Sequence, residues 1–398
     1  MSKLLISCDN SLFYNNGTYY FKDKEWYDFY MRYLRVFDHI RIANRVIEED
    51  IIPPKRIKVE DYRVEVIHIP DFSGPIEYAK RYFRIGRCLT NIVQGCDVAI
   101  VRLPSIIGQR VCTEVIKAGL PYAVEVVYDA EDGWRSESNF IYKLLWMKID
   151  RDMRLSCKKA NGVSCVTEKY LQRHYFSIKP DHFVSNYSSL ALDKSFYSCP
   201  KQHPSDRSFV IANVANQVQF NGRKGFNEII ESLSILKQRG IIVNAKFVGQ
   251  SYHNGIEKLK DLSKLLGVYN QIEYMGYLTR TELDYFLSSV DLFVMPTRAE
   301  GLPRVIIEAM AKGLPCITTP VSGNPELVSG HFLVKYSDVN TLADRIEELV
   351  MNKSLYELTS KENFEHSLQY EASVLENRRD MFYYKLKGCI NVVHENDN

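Results

Sequence analysis

The sequence predicts an α/β protein built from two doubly wound, Rossmann-like domains, and three observations carry that expectation. Short apolar runs alternate with amphipathic stretches of helical periodicity along nearly the whole chain. The runs are almost continuously apolar, as strands are when a parallel sheet is covered on both faces. The alternation breaks once, near residue 200, and then restarts. At 398 residues the chain is also longer than one ordinary core covers.

In chain order, "KLLISC" (3–8), "RVEVIHI" (63–69), "DVAIVRL" (97–103), "YAVEVVY" (122–128) and "GVSCVT" (162–167) read as strands. Helical patterns cover 76–93 and 106–118, the second closed by Gly119. These elements define an N-terminal domain over 1–196. "YSCPKQHPSDRS" (197–208) has two prolines and no sustained apolar run, so it reads as a linker. A second domain, 209–373, then presents strands at 209–214, 244–249, 271–276, 291–296 and 315–320. Its helices are expected at 225–238, 255–266, 280–289 and 303–312. The last segment, 374–398, contains a helix with Leu375, Met381, Phe382 and Leu386 on one side and a frayed "HENDN" end. Ligands in such sheets sit beyond the carboxyl ends of the strands, and a cleft between two such domains is the default binding site.

Composition narrows the function. Lys+Arg total 51 against 49 Asp+Glu, which gives no electrostatic case for a nucleic-acid binder. The 9 cysteines form no C-x-x-C pair, so they fit free thiols in a reducing cytoplasm rather than a zinc or redox site. "MSKLLISCDNSLF" is broken by Asp9 too early for a signal peptide, and no run approaches the ~20 apolar residues of a membrane span.

The chemistry concentrates in "EGLPRVIIEAMAKGLPCITTP" (300–320), which holds two glutamates. Glu300 precedes a turn in which Gly301 permits positive φ and Pro303 suits the first position of a helix. The free N–H groups of that helix start can hold an anion. Glu308 lies inside the helix among Val305, Ile306, Ile307, Ala309, Met310 and Ala311. One reading makes it the centre of a salt-bridge stripe with Arg304 and Lys312 at four-residue spacing. The other notes that a carboxylate with apolar neighbours needs a good hydrogen-bonding partner, and a ribose diol is one. A second basic site, "NGRKGF" (221–226), places Arg223 and Lys224 between glycines at another helix start, where cations suit a diphosphate. It lacks P-loop spacing, and taken alone it is an ordinary solvated turn. Together the two sites match a nucleoside diphosphate joined to a sugar.

The run "EGLPRVIIEAMAKGLPCITTPVSGNPELV" (300–328) closely resembles the E-x7-E region of glycosyltransferase family 4, whose fold is GT-B. The resemblance covers nearly all of 209–336, through "DLFVMPTRAEG", "QIEYMGYLTRTELDYFLSSV" and the "RKG" loop. In the first half it rests on domain order and on "VTEKYLQRHYF" (166–176), which resembles the last helix of the family's first domain. It implies a hexosyl-type transferase that moves a sugar from a UDP- or GDP-sugar with retention and without a bound metal or other cofactor. By the same resemblance Glu300 contacts the donor sugar, Glu308 holds the ribose hydroxyls, and Arg223 and Lys224 neutralise the diphosphate. Gly301 and Leu302 contribute N–H groups, and the base lies against Tyr277 and Leu278. Two departures leave roles open. The family's diphosphate Arg often follows the first strand, where this chain has Asn216 and Gln217. Its N-domain His after the fourth strand is replaced by "VEVVYDAEDG" (124–133), making Asp129 the candidate, with Glu131 or Asp132 as alternatives. Gly17, in "NSLFYNNGTYYF" (10–21), lies beneath the diphosphate or acceptor, or is simply a turn residue.

The first domain is expected to bind the acceptor, a glycan or a lipid-linked sugar of a capsule, O-antigen or similar polysaccharide. The basic, helically periodic "YKLLWMKIDRDMRLSCKKA" (142–160) is either a core helix with a solvated face or a contact with the inner face of the cell membrane. The C-terminal helix crosses back to the first domain in the resembling fold. Two other functions fit the same fold: a non-catalytic nucleotide-sugar-binding subunit, and a sugar-nucleotide epimerase.

Overall fold

The apolar runs become the strands of two sheets, one in each of two units: the first mostly parallel with antiparallel strands at one edge, the second wholly parallel. The computed structural model describes residues 1–132, 139–190, 192–204 and 207–396. The first unit comprises Met1–Tyr187 and the chain from Glu376 onward; the second is Ser188–Leu375. The division therefore precedes the expected linker. Residues of 197–208 pack within the second unit, where the Ser198 amide donates to Ala311 O (3.1 Å) and the Lys201 amide to Ser360 Oγ (2.6 Å). Positions 205–206 of that stretch, and 397–398 of the expected frayed end, lie outside the described residues.

In the first unit the strands are β1 (Lys3–Ser7), β2 (Ser11–Asn15), β3 (Thr18–Phe21), β4 (His39–Glu48), β5 (Ile57–Lys58), β6 (Val64–Pro70), β7 (Val98–Leu103), β8 (Tyr122–Val126), β9 (Gly162–Cys165) and β10 (Phe183–Asn186). They pair in the order β10-β9-β8-β7-β1-β4-β2-β3-β5, with β6 also on β4. The pairs from β10 through β4 are parallel. Helices α1 (Lys24–Met31), α2 (Gly74–Leu89), α3 (Ile106–Lys117) and α4 (Phe140–Lys159) belong to this unit. Leu5, Val101 and Val124 on the strands pack with Ile85 of α2, Val111 of α3 and Met153 of α4.

Three sequence readings are corrected here. The stretch 10–21, not assigned to strands from sequence, is the β2–β3 hairpin: Asn16 and Gly17 form its turn at φ 45° and 86°. Both central residues take positive φ, the turn role that the sequence also offers for Gly17. Segment 166–176 is not an α-helix but a 3-10 turn, Leu171–Arg173, flanked by bends. Thr167 Oγ1 takes the Leu171 amide (2.9 Å), the local competition that keeps such residues from propagating a helix. β4, a central strand, was missed because Arg41, Asn44 and Arg45 interrupt its apolar pattern. Their polar ends are satisfied internally: Arg41 donates to Ile92 O and Gln94 O (both 2.8 Å), and Asn44 Oδ1 accepts the Cys8 amide (2.9 Å).

The last helix, α11 (Ala372–Asn396, numbered after the helices below), belongs to the first unit from Glu376. Leu375, Phe382, Tyr383 and Leu386 are buried, whereas Met381, expected on the same side, is 56% exposed. Tyr383 donates to Glu125 Oε1 (2.9 Å), as does Tyr187 (2.9 Å), while Tyr33 reaches Oε2 (3.4 Å) and Arg32 lies 3.8 Å from it. Burial alone would push the Glu125 carboxyl up, but Arg32, Arg102 and these hydroxyls outweigh it and hold it below the ordinary range.

In the second unit β11 (Phe209–Val218), β12 (Val243–Ser251), β13 (Ile272–Gly276), β14 (Leu292–Met295) and β15 (Cys316–Thr318) form a sheet ordered β13-β12-β11-β14-β15, every pair parallel. The helices are α5 (Phe226–Gln238), α6 (Gly255–Leu265), α7 (Arg280–Ser289), α8 (Arg304–Ala311), α9 (Val339–Met351) and α10 (Lys353–Ser367). The chain moves outward through β12 and β13, then returns to the other side of β11 with β14. The carboxyl ends of β11 and β14 are thus the topological switch point, where α/β sheets open a crevice.

Glu125 generates the first prediction. Its folded-state carboxyl titrates below the unfolded value, so its stabilisation is complete above about pH 4.3 and is lost as pH falls through the folded value. Glu125→Gln, which deprives the partly buried Arg32 and Arg102 of their carboxylate, should cost about 3 kcal/mol at pH 7. Thermal melts at pH 7 and pH 3 should show the variant's deficit shrinking in acid.

Candidate functional site

The basic and acidic loops predicted from sequence follow β11 and β14, and short bonds knit them together. The carbonyl of Arg223 accepts from the Arg298 amide (2.8 Å) and from Thr297 Oγ1 (2.8 Å). Asn213 Nδ2, from inside β11, donates to Lys224 O (2.9 Å). Gly225, the N-cap of α5 at φ 75°, lies so close to the other loop that a Cβ would stand 2.3 Å from Pro296 O. No other residue meets both demands.

This framework brings Lys224 to Glu300, and the two form an ion pair. Thr297 Oγ1 is also 3.3 Å from Glu300 Oε1. Arg223 is exposed. Asn216 and Gln217, the alternative diphosphate loop, are instead part of β11, which runs on to Val218 past an irregularity in register between Val214 and Gln217. Gly301 and Leu302 follow Glu300, and α8 starts at Arg304 with Pro303 as its cap, one residue later than expected. The Gly301 carbonyl accepts the Gly323 amide (3.0 Å), so the strand-end segment after β15 supports the turn. Thr319 Oγ1 donates to Thr297 O (2.5 Å), and Asn324 Nδ2 to Thr318 Oγ1 (2.9 Å) and Thr319 O (3.0 Å).

Glu308 is buried on α8, as the diol reading requires, and it forms an ion pair with Arg280 at the start of α7. The alternative stripe through Lys312 does not form. Lys312 is itself buried and turns its ammonium to Phe196 O and Asp284. Tyr277 and Leu278 lie just beyond β13, Tyr277 being 64% exposed. Gly17 belongs to the first unit's hairpin and Asp129 to the segment that follows its strand β8.

Asp129 is turned into the first unit. Its Oδ1 accepts from the Tyr175 hydroxyl (2.8 Å) and the Glu131 amide (2.9 Å), while Oδ2 is buried without a hydrogen-bond partner among the described residues. Tyr175 also lies 2.9 Å from Asp150 Oδ1. Burial, with both carboxylates adding, pushes that phenol far above its ordinary value. Glu131 remains partly exposed and pairs with Arg154 (2.8 Å); Asp132 is also partly exposed.

Sequence reasoning overlooked Asn213, Thr297, Thr319, Asn324 and Arg280. Asn213, Thr297 and Thr319 had a signal: a polar residue within or ending an otherwise apolar run needs a buried partner. Asn324, in a Gly-Asn-Pro turn, did not. Arg280 had none, because a charged residue opening a surface helix is ordinary. Among the described residues no group of three or more His, Cys, Asp or Glu side chains could hold a metal.

Gly225→Ala tests the framework. The left-handed backbone costs about 1–2 kcal/mol for a residue with a Cβ, and the clash with Pro296 adds to it. We expect a lower melting temperature together with weaker nucleotide binding. A melt unchanged from wild type would show that the two loops are not so tightly joined.

Residues 201–366 match the family described as glycosyl transferases group 1. Protein CapJ of Staphylococcus aureus is 26% identical over 373 residues, 90% of each chain. The Staphylococcus aureus capsular polysaccharide biosynthesis glycosyltransferase CapM is 30% identical over 165 residues, only 38% of this chain and 39% of its own length. Among solved structures, Anabaena Alr3699/HepE in complex with UDP and glucose superposes with a TM-score of 0.65 at 16% identity, over 97% of this chain and 100% of that one. The fold is therefore GT-B.

Proposed function

Proceeding from a group 1 glycosyltransferase domain within a GT-B fold, we propose that this chain transfers a hexosyl-type sugar from a UDP- or GDP-sugar to a glycan or lipid-linked acceptor, with retention of configuration and without a bound metal, in the biosynthesis of a capsule or related surface polysaccharide. The observation that carries the reading is Lys224 beside Glu300, with a buried carboxylate, Glu308, on the helix that follows. Breaking the bond between the anomeric carbon and the diphosphate oxygen builds negative charge on the leaving group. Lys224, held by Glu300, supplies a cation placed in advance for that charge, the kind of preorganisation that lowers such barriers, and the exposed Arg223 next to it adds a second. Glu300 contacts the sugar, the Gly301 and Leu302 amides help hold sugar and phosphate, Glu308 grips the ribose diol, and Tyr277 and Leu278 flank the base. Gly17 has no part in this assignment. Asp129 fixes the loop after β8 through Tyr175, so that Glu131 or Asp132 is the acid offered to the sugar.

Arrival at a lipid-linked acceptor is assigned to α4. Its first half exposes Phe140, Ile141, Leu144, Leu145 and Met147, with Lys148 and Arg151 alongside. Such a face suits the anionic inner surface of a cell membrane. No helix among the described residues is long and apolar enough to cross a bilayer, so the contact is peripheral.

Two experiments test these assignments. Saturating UDP or GDP at 100 times Kd should stabilise the protein by about 2.7 kcal/mol, and Glu308→Ala should abolish most of that gain. An undiminished gain in the variant removes the diol role. Separately, the protein should co-sediment with vesicles containing phosphatidylglycerol but not with phosphatidylcholine alone, and Leu144→Ser/Leu145→Ser should release it. Equal sedimentation of wild type and variant removes the membrane role. A donor-hydrolysis assay with no acceptor separates a transferase from a binding subunit, and loss of the donor to a stereoisomer would reveal an epimerase.

A further inference from the structure

Arg280 occupies the first position of α7, fixed by a capping box between Thr279 and Glu282. A cation there faces the positive end of the helix dipole, so α7 gains nothing from it. Its guanidinium reaches Glu308 on the neighbouring helix instead. The Phe196 ring supports it, with the guanidinium carbon 4.9 Å from the ring centre. The two ends of the pair differ sharply: the Glu308 side chain is 7% exposed and that of Arg280 is 52% exposed. The buried partner is carried within a helix, and the exposed partner is a long side chain half in solvent.

Resting on the reading of Glu308 as the ribose-binding carboxylate, we infer that Arg280 is an internal competitor for that carboxylate. It neutralises Glu308 while the site is empty and yields it to the ribose hydroxyls when a nucleoside diphosphate binds. The diol uses both carboxylate oxygens, including the Oε1 that Arg280 holds. The exchange solves a problem that Glu308 otherwise has among Ile306, Ile307 and Met310, since a buried carboxylate left bare is costly. It also weakens nucleotide binding by the strength of the pair. A spent nucleoside diphosphate is then ejected more readily, because its ribose leaves a carboxylate that regains a partner at once.

The test is calorimetric titration of UDP, GDP and their 2′,3′-dideoxy analogues into wild type, Arg280→Gln, Arg280→Lys and Glu308→Ala. Arg280→Gln should bind the preferred diol-bearing nucleotide about fivefold tighter than wild type, the factor a half-exposed ion pair supplies, and its dideoxy analogue no tighter. Arg280→Lys, which keeps a charge but not the planar fork, should fall between. The unliganded melting temperature of Arg280→Gln should drop, and nucleotide should restore it. Weaker binding in Arg280→Gln, an equal change with the dideoxy analogue, or no change would each overturn the exchange. Glu308→Ala keeps the two claims apart. Lost binding in Glu308→Ala beside an unresponsive Arg280→Gln sinks the exchange alone, while full binding in Glu308→Ala sinks the diol reading beneath it.

Discussion

One backbone oxygen organises the second unit's site. The Arg223 carbonyl takes an amide and a hydroxyl from the loop after β14, although it belongs to the loop after β11. Those strands are neighbours only because the chain reverses direction across the sheet at this point. Without the reversal, the cations and the carboxylates would stand at opposite edges. Gly225 then lets the loops close to a separation that no side chain would tolerate. Lys224 and Glu300 meet across the two joined loops.

That arrangement explains why polar residues occur in strands that are otherwise apolar. Asn213 and Thr319 spend their hydrogen bonds on loop carbonyls, and Asn324 ties the segment after β15 to the strand end. Each is a fixed cost of holding an irregular backbone at the edge of a buried sheet, where an unmade bond is expensive. Asp129 does comparable work in the first unit, steering the chain out of β8 through Tyr175.

Legibility in the sequence followed the same physics. Strands buried on both faces announce themselves as apolar runs, so the second sheet was readable strand by strand, and α7 was placed at Arg280–Ser289 as found. β4 was hidden because its core positions alternate with arginines whose bonds go to distant carbonyls, which no local pattern reveals. The β2–β3 hairpin carried the Asn-Gly signal of a tight turn, but short strands with tyrosines on the partly exposed face look like a loop. Glu300, Glu308, Arg223 and Lys224 stood out because charge in an apolar or glycine-rich setting demands a reason. The partner each would choose was not legible: Glu308 had cations four residues away on either side and took one from another helix.

Three glutamates, Glu125 and Glu308 buried and Glu300 partly so, show how the same demand yields different outcomes. Glu125 is caged by hydroxyls of Tyr33, Tyr187 and Tyr383 and by Arg32, groups drawn from the 3-10 turn Arg32–Arg35, the end of β10 and the C-terminal helix alike. Nothing can replace that many partners at once, so Glu125 is a structural pin. Glu300 has a partly buried lysine and a threonine, both on loops. Glu308 is buried like Glu125 and is paired to an arginine that is half in solvent. A carboxylate becomes available for binding when burial makes a partner necessary and exposure makes the present partner replaceable. By that criterion Glu308 is the exchangeable acid in the second unit, and the fixed one, Glu125, lies beneath the C-terminal helix of the first.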